Sequence, residues 1–550
     1  TILYSQKLSR GEDKGYVGTF LKQIKEIVED CKTKNIKIVT NAGGLNPKSM
    51  ATEIEKILKE MSVDLKVAYI DGDDLIPRID ELSQQGENFV NMDKDKALKD
   101  SGFEPLTANV YLGAWGIKEA LDNDADIVVC PRVTDAAVVI GPAAWKFNWD
   151  RNNYDALAGA LAAGHIIECG CQATGGNYAF FKEVPSFDNV GYPIAEIEEN
   201  GNFTITKHPN TGGLVSVGTV TAQLLYEISS PSYINPDVIA HFDTLKIEEI
   251  AKDRVYVSGC RGSSPPSSHK VCINLASGYR NGMEIILTGL DIEEKAKVFT
   301  DTLFSSIGGM DQFDEVSIDL HQTQKNNPKT NEEAMASLNI SVKSMNPDIV
   351  GRLFTAKIVE LSLSNFPGFF ARGAAKPNGP VIVYWPALVD SKYIMETVNI
   401  NGKKIEILPT SQLNFEEIYY QKKPIKIPEI KVEEVSKVYF GEIYGTRSGD
   451  KGGCANLGVW AKDLSSYAFL YKFLTVKKLK ELLPDLKNYK IDRYELANIH
   501  SLNFYVHDIL QDGVSSNNKL DSQAKSLGEY LRAKMIEVPS SILKGKNYEQ

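Results

Sequence analysis

The stretch Ile166–Phe181, IIECGCQATGGNYAFF, decides how the first part of the chain is read. An apolar run ends in an acid, two cysteines one residue apart, a glutamine, and then Thr-Gly-Gly-Asn. Read as a strand, it runs into a turn able to cradle a ligand. Read through its cysteines, it is a metal or thiolate site. Cys-x-Cys lacks the Cys-x2-Cys spacing and second pair of a zinc site. Glu168 opposes a thiolate by repulsion. No metal is therefore expected, and the cysteines read as buried thiols. What remains is Glu168, Gln172, Thr174 and Asn177 around Gly175 and Gly176, a set suited to hydrogen-bonding a polar substrate or stabilising an oxyanion.

Working outward, the segments before this stretch alternate. GYVGTFLKQIKEIVEDCKTK (Gly15–Lys34) has helical spacing, IKIVTNAGGLNP (Ile36–Pro47) is a β-branched run ending in a Gly-rich turn, and LKVAYIDGDDLIPRI (Leu65–Ile79) is a strand with an acidic turn. ANVYLGAWGIKEALDND (Ala108–Asp124) reads as a helix and ADIVVC (Ala125–Cys130) as a strand. This alternation predicts an α/β fold whose N-terminal domain, residues 1–183, is a Rossmann-like parallel sheet with ligands outside the carboxyl ends of its strands. Residues 184–420 read as a β-rich α+β region, with FTAKIVELS (Phe354–Ser362) as a strand. Residues 421–436 read as a charged, Pro-containing linker and 437–550 as a small α+β domain.

The chain has 550 residues, 43% hydrophobic, with a net charge of −11, which argues for globular domains and against nucleic acid as the main partner. Its apolar runs are far short of the roughly 20 residues of a membrane span. Seven cysteines, an odd number, imply no disulfide framework and a reducing compartment, cytoplasmic or mitochondrial matrix.

Several motifs carry polar chemistry. In TNAGGLNP (Thr40–Pro47), Asn41, Gly43 and Gly44 follow a strand and could turn amides toward an anion; the plainer reading is a tight turn with Asn46 capping a helix. In CPRVTDAA (Cys130–Ala137), Arg132 suits a carboxylate or phosphate and Asp135 a general base, unless Asp135 simply caps a helix with Arg132 as its partner. Lys207 and His208, and Arg261, His269 and Lys270, are candidate anion clamps or parts of long hairpin loops. GTRSGDKGGCAN (Gly445–Asn456) places Arg447, Asp450 and Lys451 among glycines after a strand, without phosphate-loop spacing.

These segments together resemble the acyclic terpene utilisation (AtuA) family. The resemblance rests on TNAGGLNP, LTANVYLGAWGI, CPRVTDAA, GHIIECGCQATGGNYAFF, VGYPIAEI, TGGLVSVGTVTAQLLYEI and RGSSPPSSHKV, and on TRSGDKGGCAN, which looks like the family's appended ferredoxin-like domain. It covers nearly the whole chain. Cys171 stands where the family commonly has Ala, which lowers the metal reading further. Family members usually begin with a Gly-rich strand and turn upstream of the first helix, and this sequence starts after that segment.

The family is named for a bacterial pathway with branched acyl-CoA intermediates, so the resemblance implies an enzyme on a small branched acyl or carboxylate substrate, as its CoA thioester. The chemistry would be hydratase, lyase or hydrolase in type. Asp135 or Glu168 would be the base, Arg132 would hold a carboxylate, and amides around Gly43–Gly44 and Gly175–Gly176 would hold an oxyanion. Lys207, Arg261, Arg447 and Lys451 complete the binding set. No cofactor beyond the CoA of the substrate is implied, and a homo-oligomer is expected. A scaffold serving acyl-CoA carboxylases is the competing reading. A nucleotide-dependent ligase is a third, and needs a triphosphate cradle absent from the motifs.

Overall fold

Three short apolar strands frame the N-terminal region. Ile38–Thr40 and Val67–Asp71 each pair in parallel with Ile127–Val129. The β-branched residues Ile127, Val128 and Val129 are fully buried, as expected for a strand covered on both faces. The structure, a computed structural model, describes residues 2–413, 425–429 and 434–543. Half of the expected linker at 421–436 falls outside the described residues.

The same sheet continues through Thr397–Ile400 and Lys403–Glu406, both antiparallel. The expected Rossmann-like parallel sheet is thus corrected to a partly parallel one. Its last two strands come from a hairpin far along the chain, a pairing no local pattern announces. Helices Thr19–Lys34 and Pro47–Met61 pack together beside it, and Asn46 caps the second by accepting from Ser49 N at 3.2 Å.

Several local readings change. Ala108–Asp124 is not one helix: Glu104–Val110 is a strand and Trp115–Asp122 a helix. The strand pairs with the 21-residue strand Ser268–Thr288, which also binds Gly379–Asp390 and Met335–Ser344. Phe354–Leu361 is a helix, and so is Val217–Leu224, with Ser216 as its cap.

The opening stretch is corrected most. Tyr154–Ile167 is a helix, and Gly170–Thr174 is a short 3-10 turn after it. Every residue from Ala156 to Ile166 is buried, so no polar face marks the helical period. Small residues let neighbours close in. A Cβ on Gly159 would lie 2.0 Å from the Gly201 carbonyl oxygen, and one on Gly164 would lie 2.8 Å from Ala136 Cα.

The C-terminal region is a four-stranded antiparallel sheet in the order Tyr444–Lys451, Cys454–Ala461, Ser501–Val506, Ile491–Leu496, covered by helices Leu464–Phe473 and Val476–Leu482. It has its own core, but Trp460, Leu496 and Ile499 join the main core of the preceding region. Asn456, fully buried, donates to the Leu225 and Asn503 oxygens at 2.5 and 3.0 Å and accepts from Glu227 N at 2.8 Å. Asn503 donates in turn to the carbonyls of Ile228 and Ser229 at 3.2 and 3.1 Å. Among the described residues no helix is long and apolar enough to cross a membrane.

Candidate functional site

The loops after the three parallel strands meet at one edge of the sheet. Asn41 follows the first strand, Asp73 the second, and Arg132 and Asp135 the third. Asn41 Nδ2 donates to Asp135 Oδ1 at 3.3 Å. The loop bearing Arg132 and Asp135 is pinned from below. Thr134 N donates to the Leu112 carbonyl at 2.9 Å, and Thr134 Oγ1 donates to Asn235 Oδ1 at 2.8 Å. Asp73 accepts from Asn109 Nδ2 at 2.8 Å and from Arg132 N at 3.3 Å, and burial pushes its carboxyl up to about 7. The Arg132 guanidinium lies 4.6 Å from the Tyr111 ring centroid and donates to the Tyr111 hydroxyl at 3.3 Å. Among the described residues it has no carboxylate within 4.0 Å.

The helix Tyr154–Ile167 delivers the second wall. Glu168 leaves its C-terminus with Oε1 3.4 Å from His165 Nδ1, and the His165 ring packs 4.8 Å from Tyr233 and 5.5 Å from Phe242. Glu168 and Asp135 are electrostatic neighbours. Burial and then Glu168 raise the Asp135 carboxyl above its ordinary range, while Arg132 and Lys451 act against this.

The third wall comes from the C-terminal region. GTRSGDKGGCAN is no phosphate loop but two antiparallel strands in which Lys451 is opposite Cys454, so Gly452 and Gly453 form the two-residue turn between them. Gly452 has φ +67, and a Cβ there would lie 2.8 Å from Tyr384 Cε1; one on Gly453 would lie 2.2 Å from the Gln511 carbonyl. The hairpin tip therefore seats against the neighbouring region as only glycines allow. Its last residue, Lys451, holds its ammonium 5.4 Å from the Tyr233 ring centroid, with Lys270, Glu227, Glu168 and Asp135 as charged neighbours. Lower on the strand, Arg447 stacks 4.1 Å from the Tyr226 ring centroid, donates to Gln172 Oε1, and reaches the Asn177 carbonyl at 3.4 Å.

The structure thus brings together Asn41, Arg132, Asp135, Glu168 and Lys451, with Gln172, Asn177 and Arg447 linking the walls. Other candidates are engaged elsewhere. The Gly175 and Gly176 amides both donate to the Cys171 carbonyl, and Thr174 Oγ1 donates to the Cys171 and Gly191 carbonyls at 3.0 and 2.6 Å. These residues shape the turn. Gly43 meets the end of the neighbouring strand, where a Cβ would lie 2.5 Å from the Cys130 carbonyl, and the Gly44 amide donates to the Asn41 carbonyl at 3.3 Å. Lys207 is tied to the Thr211 carbonyl at 3.0 Å and to Asp253 at 3.5 Å, and Arg261 to Asp155 at 2.6 Å. The Cys169 thiol is pushed up to about 11 by burial and then by Glu168, the behaviour of an unreactive thiol. Among the described residues no group of three His, Cys, Asp or Glu side chains is placed to hold a metal ion.

Three participants lie outside the candidate set. Tyr111 sits in a stretch read as a helix, Tyr233 in a segment without a motif, and Glu227 follows a helix whose sequence reads as β-structure. Only tertiary packing brings them to these residues.

A family model described as acyclic terpene utilisation family protein AtuA matches residues 1–400, and one described as AtuA ferredoxin-like domain matches residues 438–537. No curated protein and no solved structure matches the chain.

Proposed function

The chain belongs to the acyclic terpene utilisation (AtuA) family and carries its ferredoxin-like domain, and on that premise we propose that it is an enzyme with an acid–base site where the two parts meet. Membership implies a role in acyclic terpene utilisation. The substrate we propose is a small branched acyl or carboxylate compound, free or as its CoA thioester, and the reaction is of the hydratase, lyase or hydrolase kind.

The observation that carries this reading is the meeting of Asp135, Glu168 and Lys451, which come from three separate segments to share one electrostatic environment. A neighbouring negative charge favours the protonated form of a carboxyl group. Asp135, raised above the usual carboxylate range, can take a proton from a carbon or a water and return it. Glu168 lies beside His165, with Oε1 3.4 Å from His165 Nδ1. Arg132 has donors left for a substrate carboxylate. Because the Gly175 and Gly176 amides are engaged inside their turn, charge developing on a substrate oxygen falls to Arg132 and Lys451.

The test is a thermal-shift screen of free branched acids, CoA thioesters and nucleotides, followed by turnover of the stabilising class. Stabilisation by an acyl class, with Asp135→Asn still stabilised but inactive, is the expected result. Full turnover by Asp135→Asn overturns the assignment.

A further inference from the structure

We infer that Lys451 is a nucleophilic lysine, which forms a Schiff base with a ketone or aldehyde carbonyl of a carboxylate substrate at this site. This rests on the acid–base reading of the site given above and narrows it to imine-forming lyase chemistry.

The placement of Lys451 carries the argument. It is the last paired residue of a hairpin whose Gly452–Gly453 turn is pressed against Tyr384 and Gln511. The tip is fixed, yet the side chain itself is not tied down. Among the described residues Lys451 makes no hydrogen bond through its ammonium and has no carboxylate within 4.0 Å. Its near contact is the Tyr233 ring face at 5.4 Å, which supports a cation without consuming its donors. A lysine kept for structure is normally paired, as Lys525 is with Glu227 at 3.2 Å and Asp450 at 3.4 Å. Burial first, and the neighbouring Lys270 second, lower the Lys451 pKa and so enlarge the share of free amine. Desolvation and an adjacent cation are the two devices that activate an amine nucleophile.

The surrounding groups fit the steps. The Nζ lone pair attacks the carbonyl carbon, and the carbonyl electron pair moves to oxygen, giving a carbinolamine after proton transfer from nitrogen to oxygen. Asp135, in its acid form, then donates one proton to the departing hydroxyl. Water leaves as the nitrogen lone pair forms the C=N bond. Amine, carbonyl compound and one proton thus become a protonated imine and one water. The imine accepts the electron pair released when a bond at the α-carbon breaks, and the ionised carboxylate takes the α-proton where that bond is C–H. Hydrolysis reverses the first steps and frees Lys451. Arg132, with no carboxylate of its own within reach, holds the substrate carboxylate.

The experiment traps the adduct. The full chain is incubated with acetoacetate as probe, with and without sodium borohydride, and its peptides are analysed by mass spectrometry. The expected result is a reduced adduct on Lys451, at least ten-fold above any other lysine, dependent on both reagents and lost in Lys451→Arg and Lys451→Met. Labelling should persist at a pH below the ordinary lysine range. Adducts spread evenly over surface lysines, or none on Lys451 while Lys451→Arg still turns over, overturn the inference. If Lys451 is not trapped but Asp135→Asn is inactive, the Schiff base fails and the acid–base reading stands. If trapping occurs and Asp135→Asn is fully active, the nucleophile stands and the role given to Asp135 fails.

Discussion

Arg447, on a strand of the ferredoxin-like domain, donates through Nη2 to Gln172 Oε1, a residue 275 positions earlier in the chain. The same guanidinium stacks on Tyr226 at 4.1 Å and is largely buried, so three elements are joined at one side chain. Arg447→Lys keeps the charge but loses the planar stack and the fork of donors. The expected cost is about 2 kcal/mol, read as a fall of about 2 °C in the thermal midpoint. Because Arg447 and Lys451 share a strand, turnover should fall more than stability does. A variant with an unchanged midpoint and normal turnover would show that this contact does not hold the site together.

A second expectation concerns pH. Asp135 acts as a base only when ionised, and burial with Glu168 raises its pKa above the ordinary carboxylate value. The acid limb of kcat/KM should therefore rise with pH through a midpoint above the usual carboxylate range, and Asp135→Asn should remove that limb with at least a hundred-fold loss of rate. Glu168→Gln removes the neighbouring negative charge, so in that variant the midpoint should move down. A midpoint that stays in place on removing Glu168 would sink the paired-carboxylate account.

How much of this was legible in the sequence depends on range. The turns after β-branched runs, Thr40–Pro47 and Cys130–Ala137, announce strand ends through Gly, Pro and Asp, and they do meet at one sheet edge. The Asn46 cap is equally local. Tyr154–Ile167 misleads because a helix buried on every side has no polar stripe, and its Ala and Gly content serves close packing rather than a visible period. Lys207 and Arg261 look like ligand groups because their partners Asp253 and Asp155 lie in other segments. The contribution of Tyr233 and Glu227 is wholly tertiary. The ferredoxin-like segment Gly445–Asn456 stood out by composition, but only the hairpin register shows that its glycines bring Lys451 to the site rather than cradle a phosphate.

Asn456 offers a test of the joint between the two parts. Asn456→Ala leaves the Leu225 carbonyl and the Glu227 amide without partners inside the protein. Each buried orphan costs about 1–3 kcal/mol, so a loss of about 3 kcal/mol is expected. Urea denaturation followed by tryptophan fluorescence reads this, since Trp460, on the same strand, lies in the main core. Asn456→Asp should be worse, because it turns an oxygen toward the Leu225 and Asn503 oxygens in place of the amide donor. Equal midpoints for wild type and both variants would mean that the interface is held elsewhere.

Away from the site, two buried carboxyl groups govern stability against pH. Asp237 accepts from Ala114 N at 2.8 Å and Glu396 from Gly116 N at 3.1 Å, at the start of helix Trp115–Asp122. Burial raises Asp237 to about 6, and burial with Asp237 raises Glu396 to about 8, while Arg151 opposes both shifts. Their folded values lie above the unfolded ones, so the folded state keeps protons that the unfolded chain has already released. Stability must then fall as pH rises from the ordinary carboxylate range to about 8, and the loss is complete above that value. Each such proton contributes a slope of about 1.4 kcal/mol per pH unit within its window. Glu396→Gln cannot titrate, yet its side-chain oxygen can still accept from Gly116 N. It should leave the thermal midpoint little changed at pH 5 and raise it at pH 8, because the wild-type protein alone must bury an ionised Glu396 there. Unfolding curves at the two pH values settle the matter, and a midpoint difference of the same size at both would show that Glu396 is not the group that titrates.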